Sequence, residues 1–271
     1  MKTRIISALV ALPLLLIFVI LGGLPLKIAI TVVALIGLYE FYKAFCGYIK
    51  PVHFIGFGAG ILYMAFVEMI TKSAALFYIF ITLFMLIILV YVVLTHESGN
   101  TMDGIVTFFG FFYVCFLMSH VYLTRQYTHG RMLVWLIFLS AFGCDVGAYF
   151  TGMVFGKHKL IPQLSPKKTV EGAIGGVVVA VSVCVVYGMF LESKNGLAGV
   201  DTVLLCFITG FIGSIFSQIG DLAASAMKRY VGIKDFGKIM PGHGGVLDRF
   251  DSVLFAAPVV YYSMFYLITV M

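Results

Sequence analysis

Charge is what this chain has least of. Only 11% of its 271 residues are Asp, Glu, Lys or Arg, 62% are apolar, and the mean hydropathy is +1.08. A soluble domain carries about 25% charged residues. The deficit runs along the whole chain, which excludes a water-soluble globule and points to an integral membrane protein. Cysteine chemistry is missing too. Cys46, Cys115, Cys144, Cys184 and Cys206 all lie in apolar stretches, odd in number and without a CxxC spacing, so neither disulfides nor zinc is indicated. There is no linker, low-complexity run or clear repeat, and no GxxxxGK[ST] phosphate loop. The net charge of +6 comes without bases and aromatics interleaved on a polar domain. Nucleic acid is therefore not the expected partner; an anionic lipid or a nucleotide is.

What is abundant is long apolar sequence. A membrane span needs about 20 mostly apolar residues. Nine stretches qualify, at roughly 5–23, 25–46, 52–70, 74–94, 104–124, 132–154, 171–191, 200–221 and 252–270. The fold class expected is an all-α polytopic membrane protein of about nine transmembrane helices. Lys2 and Arg4 precede the first run as in a signal peptide, but no small-x-small cleavage site follows, so a retained first helix is expected.

Lysine and arginine set the orientation. With the N-terminus and every even-numbered loop on one side, that side holds Lys2, Arg4, Lys43, Lys50, Lys157, Lys159, Lys167, Lys168, Lys228, Arg229, Lys234, Lys238 and Arg249, 13 of the 18 cations. The N-terminus and a polar active site then face the cytoplasm, in the plasma or inner membrane of the cell, and the C-terminus lies outside. Polar residues concentrate after Asp145, so residues 1–130 read as scaffold helices and 131–271 as the catalytic region of one membrane unit. The pairs Gly56/Gly60, Gly143/Gly147 and Gly172/Gly176 predict close helix contacts.

Two clusters resist a packing explanation. The first runs from Ser225 to Asp251 and holds five cations, Lys228, Arg229, Lys234, Lys238 and Arg249, around the turn Pro241-Gly-His243-Gly244-Gly245. Proline and glycines make that turn unfit for a helix interior, and turned backbone N–H groups can converge on an anion. A plain re-entrant turn is the rival reading; the flanking cations weigh against it. His243 fits a structural hydrogen bond as well as a phosphate contact. Asp221, Ser225 and Lys228 share one face if the preceding helix continues. A carboxylate at the hydrocarbon boundary is costly unless paired or metal-bound. Asp221 therefore reads as an ion pair with Lys228 or Arg249, or as a metal ligand, and its neighbourhood favours metal. Asp248 and Asp251 serve either as N-cap and first-turn dipole partner or, with Asp221, as a divalent-metal site.

The second cluster joins Asp145, inside an apolar run, to Ser165-Pro166-Lys167-Lys168-Thr169. An intramembrane aspartate is a functional candidate by default, with a hydrogen bond to a neighbouring helix as the alternative. Lys167 and Lys168 are expected where the seventh helix begins, a ready phosphate site. The alternative is a basic loop that serves only the orientation bias.

The stretch Ser225–Asp251 resembles the signature of the phosphatidate cytidylyltransferases, or CDP-diacylglycerol synthases. It fits S-x-hydrophobic-K-R-x4-K-D-x-G-x2-hydrophobic-P-x-H-G-G-hydrophobic-x-D-R-hydrophobic-D, with Met240 where Leu, Ile or Phe is usual. Ser165–Gly176 and Asp145 with Ala148-Tyr149 are similar to the family as well. The resemblance covers about the last half of the chain. It implies a membrane enzyme of phospholipid biosynthesis joining CTP and phosphatidic acid, with Mg²⁺ held by Asp221 and Asp248, room for a second cation, and a homodimer. Asp251 and Asp145 then assist; Lys228, Arg229, Lys234, Lys238 and Arg249 hold the triphosphate, and Lys167 and Lys168 hold a phosphate of lipid or nucleotide. Ser165, Ser225, His243, Gly244 and Gly245 complete the substrate contacts. The phosphate of the lipid can itself be the nucleophile, so no Ser-His or Cys-His pair is required. The rivals are a CTP-using lipid kinase, which would release CDP, and a transporter, which would need matching interrupted helices in two halves and access from both faces.

Overall fold

The apolar runs fold as helices because a bilayer leaves backbone N–H and C=O groups no partner outside the segment. A computed structural model describes residues 13–47, 49–97, 99–194, 196–197, 199–239 and 244–270. Seven helices in it are long and apolar enough to cross a membrane, each matching one of the predicted spans. Their surfaces carry Leu83, Leu86, Ile87, Val90 and Val93 exposed on a single helix, as lipid-facing surfaces do. The chain is an all-α polytopic membrane protein, with one small β-hairpin among the described residues. It forms two compact units: residues 1–123 with 230–249, and residues 124–229 with 250–271.

In unit one, helix is described over 13–21 (α1); the earlier part of the predicted 5–23 span lies outside the described residues. Then come α2 (Gly23–Phe45), α3 (His53–Ala65), α4 (Val67–Lys72) and α5 (Ala74–Leu94). A further helical run starts at Thr101–Gly110 (α6), has a π-helical stretch at Phe111–Phe116 and continues as Leu117–Gln126 (α7), in this unit as far as Leu123. The predicted span at 52–70 is not one continuous helix: Phe66 leaves helical geometry (φ −110°, ψ 17°) and divides it into α3 and α4. One reason is remote in sequence. Lys27 Nζ donates to the carbonyl of Ala65 at 2.8 Å, supplying a partner to a group that a helix end leaves orphaned. Buried Phe41, Tyr42, Tyr63, Phe84 and Phe111 fill the core, with Tyr42 Oη donating to Thr107 O at 2.7 Å. Gly56 lies directly against Tyr42, as its small-residue spacing predicts.

In unit two, α8 (Gly130–Leu133) leads into α9 (Trp135–Phe155). The hairpin β1 (Lys159–Ile161) and β2 (Ser165–Thr169) follows, then α10 (Val170–Glu192), α11 (Thr202–Tyr230) as far as Arg229, and α12 (Leu247–Val270) from Phe250. α9 and α10 approach through glycine. A Cβ on Gly176 would stand 2.7 Å from the Cys144 carbonyl oxygen, whereas one on Gly143 would meet Ala180 Cα at an ordinary 3.5 Å. Gly176→Ala should therefore destabilise the detergent-purified protein by about 1–3 kcal/mol. Gly143→Ala should leave its thermal midpoint near wild type; equal midpoints for both would mean the helices slide freely.

Candidate active site

Within unit two, α11 runs past its apolar stretch as far as Tyr230. Asp221, Ser225 and Lys228 therefore do share one face, the last of them buried. Asp221 Oδ2 lies 2.5 Å from Lys168 Nζ, with about a quarter of each side chain exposed. The ion-pair alternative thus has a partner that was not foreseen, Lys168 of the hairpin. A cleft of about 350 Å³ opens beside this pair, and Asp145, Tyr149, Lys167 and Gln218 also line it.

The hairpin refines the expectation for Lys167 and Lys168. They stand on β2, which runs directly into the start of α10 as expected; Lys159 pairs with Thr169 and Ile161 with Ser165. Thr169 is the N-cap of α10, its Oγ1 accepting from Gly172 N at 3.1 Å. Glu171, in the first turn, reaches back to the strand entry. It accepts from Lys157 N at 3.1 Å and His158 N at 3.2 Å, and its Oε1 meets His158 Nδ1 at 2.6 Å. The cap and this carboxylate hold the hairpin on α10, and so place Lys167 and Lys168 at the cleft. Ser165 sits half-buried at the start of β2 and is not among the residues lining the cleft.

Asp145 is exposed on α9 and accepts from Ser252 Oγ at 3.1 Å, which meets the expected hydrogen bond to a neighbouring helix while leaving it in the cleft wall. Asp251 is buried, and its Oδ1 accepts from Ser252 N at 2.9 Å. Ser252 therefore links the two aspartates. Gln218 was not foreseen. Its Nε2 donates to Ala173 O at 3.0 Å and to Cys144 Sγ at 3.1 Å, tying α11 to α9 and α10 at the cleft floor. A polar amide inside an apolar run was the available signal. Arg229 is exposed at the end of α11.

Within unit one, residues 231–239 form an irregular arm with Lys234, Asp235 and Lys238 exposed. Met240, Pro241, Gly242 and His243 lie outside the described residues, so the turn expectation and the His243 contact fall there. A second arm begins at Gly244, whose φ of +85° suits glycine, and enters α12 at Leu247. Asp248 is not the N-cap; it lies inside the first turn, buried. Its Oδ2 accepts from Phe236 N at 2.8 Å and Gly245 N at 2.9 Å, one donor from each arm. Arg249 is exposed beside it. A further carboxylate, Glu40 of α2, reaches the second arm. It is 1% exposed and accepts from Val246 N at 3.1 Å and Leu247 N at 2.8 Å.

The donor chemistry suits a hard cation. Among the described residues no three His, Cys, Asp or Glu side chains are gathered to hold a metal by themselves. Magnesium needs few protein carboxylates when substrate phosphates and water complete its shell, and Asp221 at a lysine-bearing cleft fits that sharing.

Sequence comparison covers nearly the whole chain. A model described as "Cytidylyltransferase family" matches residues 2–267. A protein of Staphylococcus haemolyticus named phosphatidate cytidylyltransferase is 36% identical over 265 residues, 96% of this chain and 97% of its own. One of the same name from Bacillus subtilis is 33% identical over 271 residues, 97% of each.

Proposed function

This chain belongs to the cytidylyltransferase family, and on that footing we propose that it is a phosphatidate cytidylyltransferase, joining CTP and phosphatidic acid into CDP-diacylglycerol and pyrophosphate in phospholipid biosynthesis. The observation that carries the reading is the unit-two cleft, where Lys167 and Lys168 stand with Asp145 and Asp221 among helices long enough to span a bilayer. An amphiphilic substrate explains that placement: acyl chains stay in lipid while the head group meets a water-soluble nucleotide.

In the reaction a phosphate oxygen of phosphatidic acid attacks the α-phosphorus of CTP. The bond from that phosphorus to the bridging oxygen breaks, and pyrophosphate leaves with the electron pair. The protein's work is positioning and charge neutralisation. Lys167 and Lys168, fixed by the Thr169 cap and the Glu171 clasp, hold a phosphate at the cleft. Lys228, Arg229, Lys234, Lys238 and Arg249 neutralise the triphosphate, with Ser165, Ser225, His243, Gly244 and Gly245 as further contacts. Asp221 and Asp248 are assigned to Mg²⁺, with Asp145 and Asp251 assisting. For Asp221 the cleft supports the assignment; for Asp248 and the arm cations the sequence pattern does. Bound magnesium would draw charge from the phosphate oxygens as the leaving group departs. A second cation, a homodimer, nine membrane spans, the plasma or inner membrane, and a cytoplasmic N-terminus and active site complete the proposal; the lysine and arginine bias supports the orientation.

The test is turnover of the detergent-purified protein with phosphatidic acid and α-labelled CTP. Label should enter the lipid with release of pyrophosphate, and a chelator should stop it. CDP release with γ-label passing to a polyprenol would instead establish the kinase, and transfer that survives chelation would remove the metal.

A further inference from the structure

Glu40 lies in an apolar helix that composition assigns to scaffold, yet its carboxylate is almost wholly enclosed and is spent on backbone more than two hundred positions later. Val246 N and Leu247 N are among the donors that the start of α12 leaves without intrahelical partners. Glu40 thus caps that helix from another helix, and its charge complements the positive end of the helix dipole. Both arms are shaped to it. A Cβ on Gly237 or on Gly245 would overlap the Glu40 carboxylate, so each arm passes it at a glycine. The arms carry Lys234 and Lys238 on one side, Asp248 and Arg249 on the other.

We propose that Glu40 is a positioning residue of the transfer reaction: its carboxylate sets the spacing of the two arms, and through them the cations that receive the CTP phosphates. The proposal rests on the reading above that these cations hold CTP. Glu40 touches no reacting atom; it acts through backbone. A misplacement of about 1 Å in such positioning costs on the order of 100-fold in rate.

The geometry permits a rescue test on the full chain. Glu40→Asp withdraws the carboxylate by one methylene, and Gly237→Ala pushes into the same space. Each alone should raise KM for CTP roughly 10-fold or more, leave KM for phosphatidic acid near wild type, and speed hydrogen exchange in peptides covering 231–239 and 244–250. Combined, the new methyl occupies the space the shortened side chain vacates, and KM for CTP and exchange should return towards wild type. Glu40→Gln sets an amide N–H against one of the two backbone donors and should behave like the single variants. Loss of thermal stability or yield with unchanged KM for CTP, or additive losses in the double variant, would overturn the proposal. If the wild-type chain transfers no cytidylyl group, the functional reading fails instead. Glu40's hold on the arms is then decided by exchange alone: faster in Glu40→Gln supports it, unchanged refutes it.

Discussion

Asp221→Asn should lower kcat for cytidylyl transfer about 1,000-fold while the protein still inserts and purifies. The expectation comes from charge. Asp221 lies 2.5 Å from Lys168 in the cleft wall, only about a quarter exposed. Asparagine keeps the size and an acceptor but loses the charge that a divalent cation requires. Withdrawing a metal from phosphate chemistry removes several kcal/mol of charge stabilisation, and about 4 kcal/mol is a factor of about 1,000. The variant cleft is more positive, so KM for CTP should not rise. The ion-pair alternative gives a different pattern. If Asp221 serves only Lys168, the cost is an uncompensated lysine, and adding Lys168→Gln should relieve it, because removing both partners of a pair is far cheaper than removing one. On the metal reading the double variant stays inactive. Recovery of kcat in Asp221→Asn/Lys168→Gln would return Asp221 to a structural role.

Most of the membrane architecture was legible because the signal is blunt. Twenty apolar residues must be helical in lipid whatever surrounds them, so among the described residues seven helices long and apolar enough to cross a membrane fall where hydropathy puts them. The break at Phe66 was not legible. A lysine 38 residues earlier captures the carbonyl beside it, and no window of local composition contains that contact. The hairpin was hidden for the opposite reason. Ser165–Thr169 is short and polar, with no alternation of apolar and polar residues to mark a strand. Glu171 grips the backbone of His158 at the hairpin's open end, a contact that no local pattern announces.

The site residues divide in the same way. Asp145, Asp221, Lys167 and Lys168 could be singled out because charge is conspicuous in this chain, and the fold gathers all four at one cleft. Glu40 carried the same signal. It is a carboxylate in a span, and the principle that marks Asp145 as a candidate marks it equally. Treating the first half as scaffold concealed it. Asp103 is a second such case: buried near the start of α6, it accepts from Lys50 N at 2.8 Å and from Asn100 N at 3.0 Å. Buried carboxylates in this protein bind backbone donors, which sequence inspection cannot see because every residue but proline carries one.

Asp248 puts that duality to its sharpest test. Its Oδ2 accepts from both arms, Phe236 N and Gly245 N, at a buried position. Asparagine can preserve those contacts, since its single carbonyl oxygen has two lone pairs and can face both donors. What it cannot preserve is the negative charge. Asp248→Asn should therefore keep thermal stability within about 1 kcal/mol of wild type, the scale of a single neutral hydrogen bond, yet lose kcat by about 100- to 1,000-fold. Asp248→Ala strands two buried N–H groups, at about 1–3 kcal/mol each, and should lose stability and activity together. The two variants separate anchoring from charge. Near-wild-type turnover in Asp248→Asn, with loss confined to Asp248→Ala, would make Asp248 an anchor of the arms and take it out of the metal site.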